Sequence, residues 1–140
     1  MAYTTAQAAR LSACTVSQLR YWARSDLIVP SADGLYTFRD LVALRVVRSL
    51  LHSGLPTTRV RASVAALRAA GEDNLARLRL VTDGVQVWAC YDDGQILDAL
   101  RHGQLALFLA VHRVAGEVET DVATFHAERA AFVDALVQRG

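Results

Sequence analysis

The residues best suited to chemistry lie between positions 17 and 24. Ser17, Gln18, Arg20, Tyr21 and Arg24 supply a hydroxyl, a carboxamide, two guanidinium groups and a phenol. Val16, Leu19 and Ala23 fall at i, i+3 and i+7, so one helix from Val16 to Arg24 would bury them and expose the polar set. Such a face carries donors and acceptors able to reach phosphates or base edges. A helix of this width fits a DNA major groove, with its first residues toward the bases. The competing reading is a solvated face, because all fifteen basic residues are arginine and the residue type alone decides nothing.

Other reactive residues form no comparable pattern. There is no nucleophile elbow, phosphate loop or paired-carboxylate motif, and Asp92-Asp93 reads as a turn. No enzymatic activity and no cofactor are therefore expected. His52, His102, His112 and His126 are scattered, with no i, i+4 pair and no adjacent cysteine, so no metal site is expected either. Two cysteines are too few for a disulfide scaffold or a structural zinc site. Cys14 and Cys90 read as small buried hydrophobes.

Several elements must position the polar helix. Thr4 and Thr5 offer N-cap oxygens to a short helix from Ala6 to Leu11, and Ser12 to Thr15 is a tight break. Thr15 then caps the polar helix, so the pair reads as a helix-turn-helix. Leu27 to Phe38 holds Pro30 and Asp33-Gly34, the marks of a short hairpin or wing that carries Tyr36 and Arg39. A third helix, Phe38 to His52, turns Leu41, Leu44, Val47, Leu50 and Leu51 inward and ends at Gly54. Pro56 opens a fourth, to about Ala70, with Val60, Val64 and Leu67 inward. Its start, Thr57-Thr58-Arg59, presents free amides and a favourable dipole to a phosphate.

Beyond position 70 the composition changes. Residues 1–70 hold nine arginines against three acids, a net charge of +6, and residues 71–140 hold six against eleven, a net charge of −5. This suggests a polyanion-binding module over 1–70 joined to a different module over 71–140. Arg77 to Val81 and Val85 to Tyr91 flank Asp83-Gly84, the signature of a hairpin with a two-residue loop. A short helix from Gln95 to His102, closed by Gly103, and a buried-type strand from Gln104 to Val111 follow. Trp88 and Tyr91, on or near one sheet, could line a small effector pocket or simply fill a core. A terminal helix runs from about Glu119 to Gln138. There Val118, Val122, Phe125, Arg129, Phe132 and Leu136 alternate by four and three, as in a coiled-coil seam. Val118, Val122, Phe125, Phe132 and Leu136 are the candidate dimer contacts, although Arg129 argues against a long strict coil. No leader-like segment opens the chain, and the longest apolar run, Leu105 to Val111, is too short to span a bilayer. A soluble cytoplasmic protein is expected.

The first half also resembles a known family. Tyr3 to Leu11 is similar to the opening helix of MerR-family winged-helix regulators. Leu19-Arg20-Tyr21-Trp22-Ala23-Arg24, followed by Leu27-Ile28 and Pro30, resembles their recognition helix and the start of their wing. Leu35-Tyr36-Thr37-Phe38-Arg39-Asp40-Leu41 resembles the segment that opens their next helix, and Leu51 to Pro56 the junction after it. The likeness covers about residues 3–70. Ala13 stands where the family usually has the glycine of the turn, Ser17 where it has a basic or polar residue, and Asp33-Gly34 where many members have an arginine. Residues 80–84 and 98–105 resemble, more weakly, uncharacterised C-terminal regions of MerR-like proteins and imply no activity.

The resemblance implies a mainly helical fold with a small β component. A winged helix-turn-helix of four helices plus wing would precede an α+β module of hairpin, short helix, strand and terminal helix. It also implies a transcription regulator that binds double-stranded DNA as a homodimer. Arg20, Tyr21 and Arg24 would grip phosphates, Ser17 and Gln18 would face base edges, and Thr15, Tyr36, Arg39, Thr57, Thr58 and Arg59 would complete the surface. Two other roles remain open for the second half. It could bind a partner protein, as in an antitoxin or adaptor, or respond to a small molecule.

Overall fold

The computed structural model describes residues 2–71, 76–101 and 107–139. Each of the first three helices begins at a threonine. The hydroxyls of Thr4, Thr15 and Thr37 accept the backbone N–H three residues on, from Gln7, Gln18 and Asp40, whose own side chains accept the threonine N–H in return. These reciprocal caps satisfy amides that a helix end leaves unpaired. They set α1 (Thr5–Ser12), α2 (Val16–Arg24) and α3 (Phe38–His52). The fourth helix, α4 (Thr57–Ala69), follows Pro56 and has no side-chain cap.

The turn between α1 and α2 is tight because Ala13 takes a left-handed conformation, with φ +60°. A side chain there costs about 1 kcal/mol, which explains why glycine would suit the position. Ala13→Gly is therefore expected to stabilise the protein by about 0.5–1 kcal/mol, after allowing for the looser unfolded chain. The check is urea unfolding, and an unchanged or lower midpoint would show that the turn carries no strain.

The wing differs from the expected hairpin. No strand ladder forms within 27–38. Instead Tyr36 pairs with Tyr3 across the molecule, with N–H···O distances of 2.8 and 2.7 Å in the two directions. The loop before it closes on Ser31, whose carbonyl accepts the Gly34 N–H at 2.8 Å and whose N–H meets the Leu35 carbonyl at 2.9 Å.

The second half holds β1 (Arg79–Thr82), β2 (Val87–Cys90), α5 (Asp93–Leu100), β3 (Leu107–Ala110) and α6 (Val111–Arg139). The three strands are antiparallel in the order β2-β1-β3. Thr82 pairs with Val87, so the hairpin loop has four residues, 83–86, rather than two. Asp83 explains the difference. Its carboxylate accepts the N–H groups of Val85 (2.9 Å) and Gln86 (2.8 Å), and this wraps the loop around one side chain. α5 starts two residues earlier than expected, capped by Asp92. The expected end at His102 and Gly103 lies outside the described residues. β3 is half-exposed where a buried strand was expected, with Phe108 turned outward.

The largest departure is α6, which starts eight residues before Glu119. Val111, Val114 and Val118 recur at helical spacing and are buried, so the end of the expected strand is the first turn of the helix. The buried side chains of α1–α4 form one continuous cluster with Leu78, Leu80, Val111, Val114 and Val118. α3 is its centre: Leu41, Leu44, Val47 and Leu50 are all fully buried, and Leu51 lies at the edge. A smaller cluster gathers Val81, Cys90 and Ala99 under α5. The architecture is mainly helical with a small sheet. No helix among the described residues is long and apolar enough to cross a membrane.

Candidate nucleic-acid interface

α2 turns Leu19 and Trp22 into the core, which fixes the rotation of the helix. Ser17, Arg20, Tyr21 and Arg24 are then left exposed on the other side. Tyr21 is 59% exposed, a large aromatic surface for a side chain with no structural task. Among the described residues no carboxylate pairs with Arg20 or Arg24. Arg59 is likewise unpaired there, and with Thr57 and Thr58 it stands exposed at the uncapped start of α4. That helix end leaves backbone N–H groups and the positive end of the dipole open to an anion.

Several residues assigned to this surface by sequence have other tasks. Gln18 is half-buried, and its carboxamide oxygen accepts the Thr15 N–H at 2.9 Å, so it closes the cap rather than facing a base. Thr15 returns the bond through its hydroxyl, at 3.0 Å. Tyr36 is only 1% exposed, and its side chain is core rather than wing surface. Burial, with the Asp40 charge beside it, pushes its phenol above the ordinary value. Arg39 reaches across to α4, where its guanidinium donates to the Ala70 carbonyl at 3.1 Å. It ties two helices together and does not project.

The seam on α6 also divides. Val118 is buried in its own chain, and Val122 and Phe125 pack against the same core, so these three are not free for a partner. Phe132 and Leu136 are exposed, and so are Val133 and Val137 beside them. Trp88 and Tyr91 pack on different clusters. Trp88 packs on the small cluster and lines a shallow hollow of about 220 Å³ with Cys90 and Asp98, whereas Tyr91 packs on the main core. Cys14 sits at the core edge, near the carbonyls of Ser12 and Leu44, and burial pushes its thiol up, away from reactive thiolate.

Three positioning arginines have no counterpart in the sequence-derived set. Arg61 on α4 donates to the Asp26 carbonyl at 2.9 Å and to the Ser25 carbonyl, which clamps the end of α2. Asp26 is itself left-handed, with φ +60°, so the chain leaves α2 through a conformation that Arg61 holds. Arg45 donates to the Leu11 carbonyl at 2.9 Å and pairs with Asp121 at 2.6 Å and Glu117 at 3.6 Å. Arg10 pairs with Glu128 at 2.9 Å and lies over the Phe125 ring. The signal available in sequence was charge: acids recur along α6 at 117, 121 and 128, roughly one or two turns apart, opposite a basic half. α6 therefore docks on α1 and α3 by ion pairs as well as apolar contacts.

Comparison with known proteins agrees with this geometry. Residues 3–67 match the family described as MerR HTH family regulatory protein. The chain is also 35% identical, over 136 residues, to an uncharacterized HTH-type transcriptional regulator of Mycobacterium bovis and to its counterparts in two strains of Mycobacterium tuberculosis. Those alignments cover 91% of this chain and 60% of each relative, so the chain spans about three-fifths of the length of the relatives it matches. With their capped helix pair, the left-handed turn at Ala13 and the exposed polar face on α2, residues 3–67 form a MerR-type helix-turn-helix domain.

Proposed function

We infer that the protein is a sequence-specific DNA-binding transcription regulator that works as a homodimer in the cytoplasm. The observation that carries this reading is the exposed face of α2, where Ser17, Arg20, Tyr21 and Arg24 stand on a helix whose opposite side is fully committed to the core. Arg20 and Arg24 grip phosphates, Tyr21 packs or donates along the groove wall, and Ser17, at the start of the helix, faces base edges. The open start of α4, with Thr57, Thr58 and Arg59, takes a neighbouring phosphate. Gln18, Tyr36 and Arg39 stay out of the contact surface, because their side chains are spent inside the protein.

Two copies pair through the exposed apolar end of α6 and present their α2 helices to successive major grooves. A single helix of nine residues reads few bases, and a second half-site supplies the missing affinity and register. Selection of bound genomic fragments followed by footprinting tests this. The expected result is one enriched site with two protected half-sites, about 34–36 Å or a multiple of that apart. Failure to enrich any fragment would overturn DNA recognition. A single protected patch without symmetry would overturn the dimer.

A further inference from the structure

A second candidate site lies away from α2, where the helix-turn-helix half meets the sheet. The cleft encloses about 410 Å³, within the range of small-molecule pockets. Arg45 on α3 lines it from one side, and Arg79 of β1, Phe108 of β3, and Arg113 and Val114 of α6 line it from the other. Two of these cations lack a counter-charge among the described residues. Arg113 has no ion-pair partner there, and the Arg79 guanidinium meets only the Arg77 carbonyl, at 3.2 Å. Glu117 also lines the cleft, but its carboxylate is matched by Arg45 at 3.6 Å.

The helix beside the cleft adds to the pull of these two cations on an acceptor oxygen. The first turn of α6 borders the cleft and holds no acidic residue to offset the positive end of its dipole. The wall is not uniformly polar, however. Phe108 is a large aromatic group left 44% exposed on an edge strand, and Leu109 and Val114 continue the apolar lining. A bare inorganic anion would leave that half of the cleft unused.

We propose that this cleft binds a small amphiphilic carboxylate, with its head on Arg79 and Arg113 and its apolar body against Phe108 and Val114. Such a ligand touches β1, β3 and α6, and the site is independent of whether α2 reads DNA.

Titration of the full chain with octanoate, octan-1-ol and inorganic phosphate tests the assignment, followed by calorimetry and by NMR shifts. Octanoate is expected to saturate one site and to move the resonances of Phe108 and Val114. Octanol lacks the charge and phosphate lacks the tail, so each is expected to bind at least about tenfold more weakly, the loss of one charge-assisted contact or of a few buried methylenes. Arg113→Gln lies on an exposed position and should weaken octanoate about tenfold with unchanged circular dichroism. Arg79→Gln repeats the test from the strand side. Equal binding of octanol or phosphate, undiminished binding by both variants, or shifts confined to other residues would overturn the proposal.

Discussion

Replacing Arg20 and Arg24 together by alanine is expected to weaken binding to the selected DNA site by about a hundredfold or more. A hydrogen bond between charged groups contributes about 1.5–3 kcal/mol, and 1.4 kcal/mol is a tenfold change. Removing two such bonds costs about a hundredfold for each subunit even at the low end of that range. The salt dependence should change as well. Each phosphate contact adds about 0.9 to the slope of log affinity against log salt, so the slope should fall by about 2 for each subunit. Stability should not change, because both side chains are exposed and unpaired among the described residues. Thermal unfolding of the double variant separates the two effects. Ser17→Ala should differ in kind, relaxing the preferred sequence more than it lowers total affinity. If the double variant kept its affinity, α2 would be a solvated face and the contact surface would lie elsewhere.

Arg20 and Arg24 are informative because other basic residues are already occupied. The sequence divides into a half of +6 and a half of −5, which invites a picture of a polyanion-binding module tied to an unrelated one. The structure brings the halves together. Arg10 and Arg45 from the basic half face Glu128, Asp121 and Glu117 from α6. Arg39 and Arg61 hold main-chain oxygens, and Arg68 faces Asp40 at 3.5 Å. Much of the charge surplus is thus internal, and the exposed arginines at 20, 24 and 59 carry the outward potential. Counting charges could locate the basic half but could not tell structural arginines from free ones. That distinction depends on which carbonyls and carboxylates lie opposite in space.

The same limit decided which elements were legible. α2 and α3 could be placed to the residue because their start signals are local, a threonine followed three residues later by a side chain that returns the bond. The exposed face of α2 was legible from Val16, Leu19 and Ala23, although Leu19 and Trp22 are the residues fully buried and Val16 and Ala23 are half-buried. Tyr36 was misplaced because its partner is Tyr3, far away in sequence, and a Leu-Tyr pair beside a turn gives no sign of it. Gln18 was assigned to the bases because the same residue type serves a cap and a base contact, and only geometry chooses between them. The start of α6 was hidden because Leu107 to Val111 is apolar without a break, and short apolar runs do not separate strand from helix. The end of β3 and the first turn of α6 share that run.

The division of the α6 seam leads to the other large effect. If α6 carries the proposed dimer, introducing Phe132→Asp and Leu136→Asp together is expected to convert it to a monomer while leaving the subunit folded. α6 has 29 residues and is about 43 Å long. Its first half is held by the core and by the Arg45 pairs with Glu117 and Asp121, and Glu128 is tied to Arg10, whereas every described residue from Ala127 onward is exposed. Phe132 is 65% exposed and Val137 is 72% exposed, with Val133 and Leu136 between them on one stripe. Burying each such side chain stabilises by about 1.5–3 kcal/mol, and two copies bring eight of them to a paired interface. Carboxylates at positions 132 and 136 would have to be buried unpaired, a cost of several kcal/mol that should raise the dimer dissociation constant by about a thousandfold or more. Sedimentation velocity reads the change in mass, and circular dichroism checks that the helix survives. A second readout comes from the DNA. The monomer should protect one half-site only, with the steep affinity loss that follows from losing the second. Gln138→Ala, on the same segment, should leave the dimer intact. A dimer that survived both carboxylates would move the interface off α6, and the exposed stripe would then need another partner.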